Sequence, residues 1–181
     1  MGKFSFHLES QDRKRLLPAK VIVGQRDQES SRHVILKLLS YLVFYRERLH
    51  IEHQLHNDNI PFEPDLVELD YELQPVFWCE CGDCGVPKLD RLAVKVPAAE
   101  IWVIKGCHSE AEQLFHAVQK AELRKNRYTI VGLEGEMVEE LCSLLKPRNQ
   151  VFWVAGGFEP PLLQFDFNGL WFDTSFAVWR H

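Results

Sequence analysis

The chain opens on an alternation. Phe4, Phe6 and Leu8 interleave with Lys3, Ser5 and His7, which is the period of a half-buried strand. A second short strand, Ala19 to Val23, stops at Gly24, so the two form an opening antiparallel pair. The period then changes. From Val34 to Tyr45 apolar residues surround almost every face of a helix, with Asp27 as its cap and Glu29 in its first turn. A helix apolar all round is the buried one of its domain.

Leu49 to Leu55 reads as a strand or as the ragged end of that helix, and Asn57 to Pro61 as a turn. Leu66 to Leu73 and Val76 to Cys81 are strands, the latter stopped by Gly82 and Gly85. A short helix from Lys88 to Val96 breaks at Pro97. Glu100 to Lys105 is a buried strand, and Ser109 to Lys125 an amphipathic helix. Tyr128 to Leu133 is a strand, Glu136 to Leu145 a helix and Gln150 to Ala155 a strand. Leu162 to Trp179 reads as a hairpin turning at Asn168-Gly169. Strands alternating with helices and flanked by hairpins describe an α/β fold with a mixed β-sheet.

The length, 181 residues, suits a single domain over 1–181, whose core holds without disulfides or a metal. Five cysteines, an odd number, then read as reduced thiols in a cytoplasmic protein. The segment Met1-Gly-Lys-Phe-Ser-Phe-His has no apolar signal core, and no window is apolar enough for a membrane span. The net charge of -5 argues against a broad coat of nucleic acid but leaves room for a local basic groove.

Chemistry concentrates around Asp65 and Glu80. Asp65 opens one strand, after Glu63-Pro64, and Glu80 sits inside the next apolar strand, where an unpaired carboxylate is costly. If the strands pair, two carboxylates meet at one point. A hard divalent cation takes oxygen ligands, and Mg²⁺ commonly uses one or two carboxylates plus water and phosphate. The bland alternatives are an ion pair for Glu80 and a turn carboxylate for Asp65.

The residues resemble the YaeQ family, small bacterial proteins with a PD-(D/E)XK nuclease-like fold. The resemblance runs over Asp27-Gln-Glu29-Ser30-Ser31, Leu36 to Leu42 and Tyr45 to Leu49. It resumes at Pro64-Asp65, at Trp78-Cys-Glu80-Cys-Gly82, at Pro87 and at Asp90-Arg91-Leu92, and ends on Phe165 to Phe172. It implies a restriction-endonuclease-like core with terminal β-hairpins. It puts the PD motif on Pro64-Asp65, the second acid on Glu80 and the extra helix acid on Glu29. It implies Mg²⁺ or Mn²⁺ held by Asp65 and Glu80, and a nuclease acting on phosphodiester bonds of nucleic acid. The signature lysine belongs two residues after Glu80, where Gly82 stands. An ammonium from the following helix then orients the nucleophile, with Lys95 the first candidate and Lys88 the second. Without catalysis, the same fold is a binding module for nucleic acid or a protein partner.

Competing sites are weaker. Cys81-x-x-Cys84 is half a zinc knuckle without a second C-x-x-C, so buried packing is the simpler reading; Cys79 and Cys81 face away from Glu80 by strand alternation. His50, His53 and His56 lie in a polar, poorly periodic stretch and read as solvated. Gly132-Leu-Glu-Gly135 joins strand to helix as a phosphate cradle does, but Glu134 and Glu136 would repel a phosphate.

Overall fold

The computed structural model describes residues 2–181; Met1, which begins the N-terminal segment read above, lies outside them. The chain runs β1 (Gly2–Ser10), β2 (Lys20–Gln25), α1 (Ser31–Phe44), β3 (Leu49–Ile51), β4 (Leu66–Leu69), β5 (Pro75–Cys81), α2 (Val86–Lys95) and β6 (Glu100–Lys105). It continues through α3 (His108–Lys120), β7 (Tyr128–Gly132), α4 (Gly135–Leu144), β8 (Arg148–Phe158), β9 (Pro161–Phe167), β10 (Leu170–Ser175) and β11 (Ala177–Arg180).

The expectation of one mixed sheet needs correction, because the strands divide into two. One has the order β10-β9-β8-β1-β2 and the other β11-β7-β6-β5-β4-β3. Both are mixed: β1 and β8 are parallel in the first, and β5, β6 and β7 are parallel in the second. Alternation gives the period of a strand but not its partner, and β1 finds β8 across most of the chain.

Helix α1 fills the space between the sheets. Ten of its residues are buried, and its core cluster takes Phe6, Val23 and Trp153 from one sheet and Leu66, Phe77 and Ile104 from the other. Its all-round apolar surface is thus explained, since it has a sheet on either side. Helix α4 adds Met137, Val138 and Leu141 to the same cluster. The opposite face of the six-stranded sheet is covered by α2, through Leu89, Leu92 and Ala93, and α3, through Ala111, Leu114 and Val118. Each Leu, Val, Ile, Phe or Met side chain so removed from water contributes roughly 1.5–3 kcal/mol against the entropy of ordering. No helix among the described residues is long and apolar enough to cross a membrane.

Several local readings change. The cap of α1 is Ser30, not Asp27, and Glu29 stands before the helix rather than in its first turn. The ring of His33 closes the cap, with Nδ1 accepting from the Ser30 N–H at 3.3 Å. At the other end Arg15 donates to the carbonyls of Leu42 and Val43, which the helix leaves without intrahelical partners. Helix α3 ends at Lys120, not Lys125, where Glu122 and Asn126 adopt φ of 52° and 61°. Strand β3 ends at Ile51, before Glu52 at φ 54°, and β4 ends at Leu69. The hairpin β9–β10 turns on Asn168 and Gly169, both with positive φ, as a type I′ turn requires. The tail after it is not part of that hairpin: β11 crosses to the other sheet and pairs with β7.

Candidate functional site

Strands β4 and β5 pair antiparallel, with Leu66 opposite Cys79 and Val67 opposite Trp78. The same register carried one residue further sets Asp65 opposite Glu80, on one face of the sheet. Asp65 Oδ2 accepts the Cys81 N–H at 2.7 Å. Glu80 is 3% exposed. Its Oε1 accepts from Trp78 Nε1 and its Oε2 from Lys88 Nζ, both at 2.8 Å. A buried charge in an apolar strand is tolerable on those terms.

Burial pushes the Asp65 carboxyl up to about 7, and the Glu80 charge adds to it; the Cys81 N–H and the Lys37 ammonium pull the other way. Two carboxylates on adjacent strands share a desolvated space, and one of them resists ionising.

The helix after β5 supplies an ammonium, but from Lys88. Lys88 stands in the first turn of α2 and its side chain is 30% exposed. Lys95 is in the last turn of the same helix and exposed. Seven residues at ~1.5 Å rise separate the two by roughly 10 Å along the axis, so the geometry brings Lys88 and not Lys95 to Glu80.

Glu29 is committed elsewhere. Its Oε2 lies 2.6 Å from Lys37 Nζ, which also donates to Glu52 Oε1 at 2.6 Å and to the Gly24 carbonyl at 2.9 Å. Lys37 is fully buried, and three acceptors match its three N–H groups. Burial lowers the proton affinity of Lys37, the two carboxylates raise it, and the net shift is upward. The knot ties α1 to the end of β2 and to the residue after β3. Glu29 is close enough for its charge to raise Asp65, but its contacts are with cations.

Two residues at the site, His33 and Lys105, escape a reading along the chain. Gly82 has φ +84°, and a Cβ there would fall 2.6 Å from His33 Nε2. Lys105 Nζ donates to the Gly82 carbonyl at 2.7 Å. In the parallel pair β5–β6, Cys81 lies beside Ile104, so Gly82 lies beside Lys105. Burial and the Glu80 charge push the nearby Cys84 thiol up to about 12, while Lys88 and Lys105 oppose this and Asp65 reinforces it. The charges of Asp65, Glu80, Lys88 and Lys105 thus all act on one thiol. His33, Gly82 and Lys105 also line a cleft of about 470 Å³ together with Ser30, Arg32 and Asp83. The local signal for Lys105 is a lone cation closing an apolar strand. Its neighbour in space is set only by the crossover through α2.

The donor set has the chemistry of a hard cation, two carboxylates with lone pairs to spare. Asp65 holds its proton unusually tightly, and a divalent ion would displace it. Among the described residues no three His, Cys, Asp or Glu side chains are placed to hold a metal, so such an ion would complete its shell with water or substrate oxygen. Cys81 and Cys84 belong to different cores: Cys81 packs under α1 with its Sγ 3.5 Å from Ser40 Oγ, and Cys84 packs under α2. The His50 and His53 rings lie 4.8 Å apart, and burial together with His50 and His56 lowers the proton affinity of His53.

The fold is similar to that of the YaeQ protein from Xanthomonas axonopodis pv. citri, with a TM-score of 0.76 at 18% identity over 99% of this chain and 97% of that one. The YaeQ protein from Pseudomonas syringae matches with a TM-score of 0.76 at 16% identity, over 99% and 95%. No curated protein matches the chain. The family model described as YaeQ protein matches residues 1–154, a span that contains Asp65, Glu80, Lys88 and Lys105, and the chain belongs to the YaeQ family.

Proposed function

We propose that the protein is a divalent-metal-dependent hydrolase of phosphodiester bonds in nucleic acid, built on a PD-(D/E)XK-like core. The observation that carries this reading is the pair Asp65, immediately before β4, and Glu80, on the neighbouring β5, with Asp65 raised to about 7 by burial and by its neighbour. Asp65 and Glu80 would hold Mg²⁺ or Mn²⁺. When bound, such an ion lowers the pKa of water and offsets negative charge on a phosphate.

The residues of the chain then divide the work. The Lys88 ammonium, 2.8 Å from Glu80 Oε2, orients a water against the phosphorus and screens the charge that builds up. The water oxygen forms the new P–O bond, the bond to the sugar oxygen breaks, and the proton lost by the water ends on the departing alkoxide. Glu29 supports the pair indirectly, by holding Lys37 near Asp65.

A second reading is a non-catalytic binding module with the same groove. It is favoured by two observations: both oxygens of Glu80 already have donors, Trp78 and Lys88, and position 82 is glycine, not lysine.

Calorimetric titration of Mn²⁺ into the wild type, Asp65→Ala and Glu80→Ala separates the two. The hydrolase reading expects binding by the wild type that is lost in both variants while each stays folded. Intact binding in both variants would sink it.

A further inference from the structure

The cleft lined by Gly82, two residues beyond Glu80, holds three nitrogen donors that the proposed hydrolysis does not use. We propose that Lys105, His33 and Arg32 form a phosphate-binding subsite that receives a phosphodiester of a polynucleotide strand, with Lys105 reaching it from β6 beside Gly82, just past the end of β5. This rests on the hydrolase reading for its place next to a metal, but its geometry stands separately.

The register is the first argument. Val103 on β6 lies beside Glu80 on β5, and residues two apart on a strand share a face. Lys105 therefore lies on the face that carries Glu80. Its charge reaches the Cys84 thiol together with those of Asp65 and Glu80. One of its three N–H groups goes to the Gly82 carbonyl at 2.7 Å, which anchors the ammonium and leaves two donors for a ligand.

The second argument is the tautomer of His33. Nδ1 accepts from the Ser30 N–H, so a neutral ring carries its hydrogen on Nε2. That N–H lies over Gly82, in the space a side chain at position 82 would occupy. Arg32 comes from the same first turn of α1, its Nη1 held by Glu110 at 2.9 Å. A guanidinium has five N–H donors in a planar fork, so this bond fixes it without exhausting it. The first turn of a 14-residue helix adds its positive end.

Two acids face the same cleft. Glu110 and Arg32 neutralise each other, so Arg32 contributes N–H donors and Lys105 the unshared charge; Asp83 is exposed, and its field is screened by water. The Asp65–Glu80 pair repels a phosphate that approaches without a cation, so the subsite works best with the metal present. An overall charge of -5 means that a polynucleotide is recruited by this local group and not by the whole surface.

The test follows the His33 Hε1 resonance by NMR during titration with a short oligothymidylate, with thymidine 5′-monophosphate and with inorganic phosphate, each with and without Mg²⁺. We expect the oligothymidylate to shift the resonance and to bind more tightly than either small anion. Lys105→Met should weaken that binding by about tenfold or more, as expected for loss of a charge-assisted hydrogen bond. Lys105→Arg should keep most of it, which separates loss of the cation from loss of fold, and Lys95→Met should behave as the wild type. An unmoved His33 resonance, or unchanged affinity in a folded Lys105→Met, would overturn the subsite. Thymidine monophosphate binding as tightly as the oligomer would overturn its assignment to a strand. Mn²⁺ calorimetry on Lys105→Met keeps the two readings apart: binding that survives there while oligonucleotide affinity falls supports the subsite. A wild type that binds oligothymidylate through Lys105 but no Mn²⁺ loses the metal and keeps the subsite.

Discussion

A side chain on Gly82 would collide with His33, because its Cβ would fall 2.6 Å from the imidazole Nε2. The residue two after Glu80 is thus glycine for a physical reason: φ is +84° and the space is taken. Restoring the signature lysine at that position should not restore a signature site. Gly82→Lys should destabilise the fold by about 1–2 kcal/mol from backbone conformation alone, with the clash on top. Thermal unfolding should show a fall of roughly 2–4 °C per kcal/mol. Pairing it with His33→Ala should recover the steric part and leave the backbone part. A Gly82→Lys protein as stable as the wild type would contradict the geometry.

Asp65 makes a pH prediction with a definite sign. Its carboxyl is raised to about 7 in the folded chain, against ~3.9 unfolded, so the folded state binds the proton more tightly. The contribution of Asp65 to stability then falls as pH rises from about 4 to about 7 and levels off above. Asp65→Asn keeps an acceptor for the Cys81 N–H and removes the titration. Urea unfolding should find the variant more stable than the wild type above ~pH 7, by on the order of 1–3 kcal/mol, and little different near ~pH 4. A gain confined to low pH would reverse the sign and refute the assignment.

The same proton couples to metal. If Mn²⁺ displaces it, affinity should rise by up to about tenfold per pH unit between ~5 and ~7 and flatten above. Calorimetry in buffers of different ionisation enthalpy should register proton release in the lower range and almost none at about pH 8. A pH-independent affinity would place the ion away from Asp65.

The buried Lys37 is satisfied by Glu29, Glu52 and the Gly24 carbonyl. Lys37→Met leaves two carboxylates without their cation, and breaking a buried pair in this way costs about 3–5 kcal/mol. Adding Glu29→Gln and Glu52→Gln to Lys37→Met should recover much of the loss. Chemical denaturation of the single and triple variants measures both. A single variant within about 0.5 kcal/mol of the wild type would mean that the knot is not stabilising.

Lys88 and Lys95 should separate cleanly. Lys88→Met strips Glu80 of its cation, and because Lys88 is 30% exposed the cost should be smaller than for Lys37, about 1–3 kcal/mol. Lys95→Met touches an exposed end of α2 and should stay within about 0.5 kcal/mol. Equal effects in thermal unfolding would remove the distinction between the two lysines.

The sequence by itself determined the local periods. The alternation of Phe4, Phe6 and Leu8, the all-round apolar surface of α1, the apolar run of β5 and the Asn168-Gly169 turn are each properties of neighbouring residues, and each appears where it reads. It also brought Asp65 and Glu80 into view, because two acids flanking adjacent strands are a local pattern. Tertiary structure decided what lies across a long loop of chain. It separated the strands into two sheets with α1 between them, and sent β11 away from its hairpin to β7. It chose Lys88 over Lys95 for Glu80, since a helical rise and the placement of α2 on the sheet select one turn and not the next. It turned Glu29 toward Lys37, whose burial demands counter-charge. And it set Lys105 beside Gly82, a juxtaposition made by a parallel crossover that no spacing along the chain encodes.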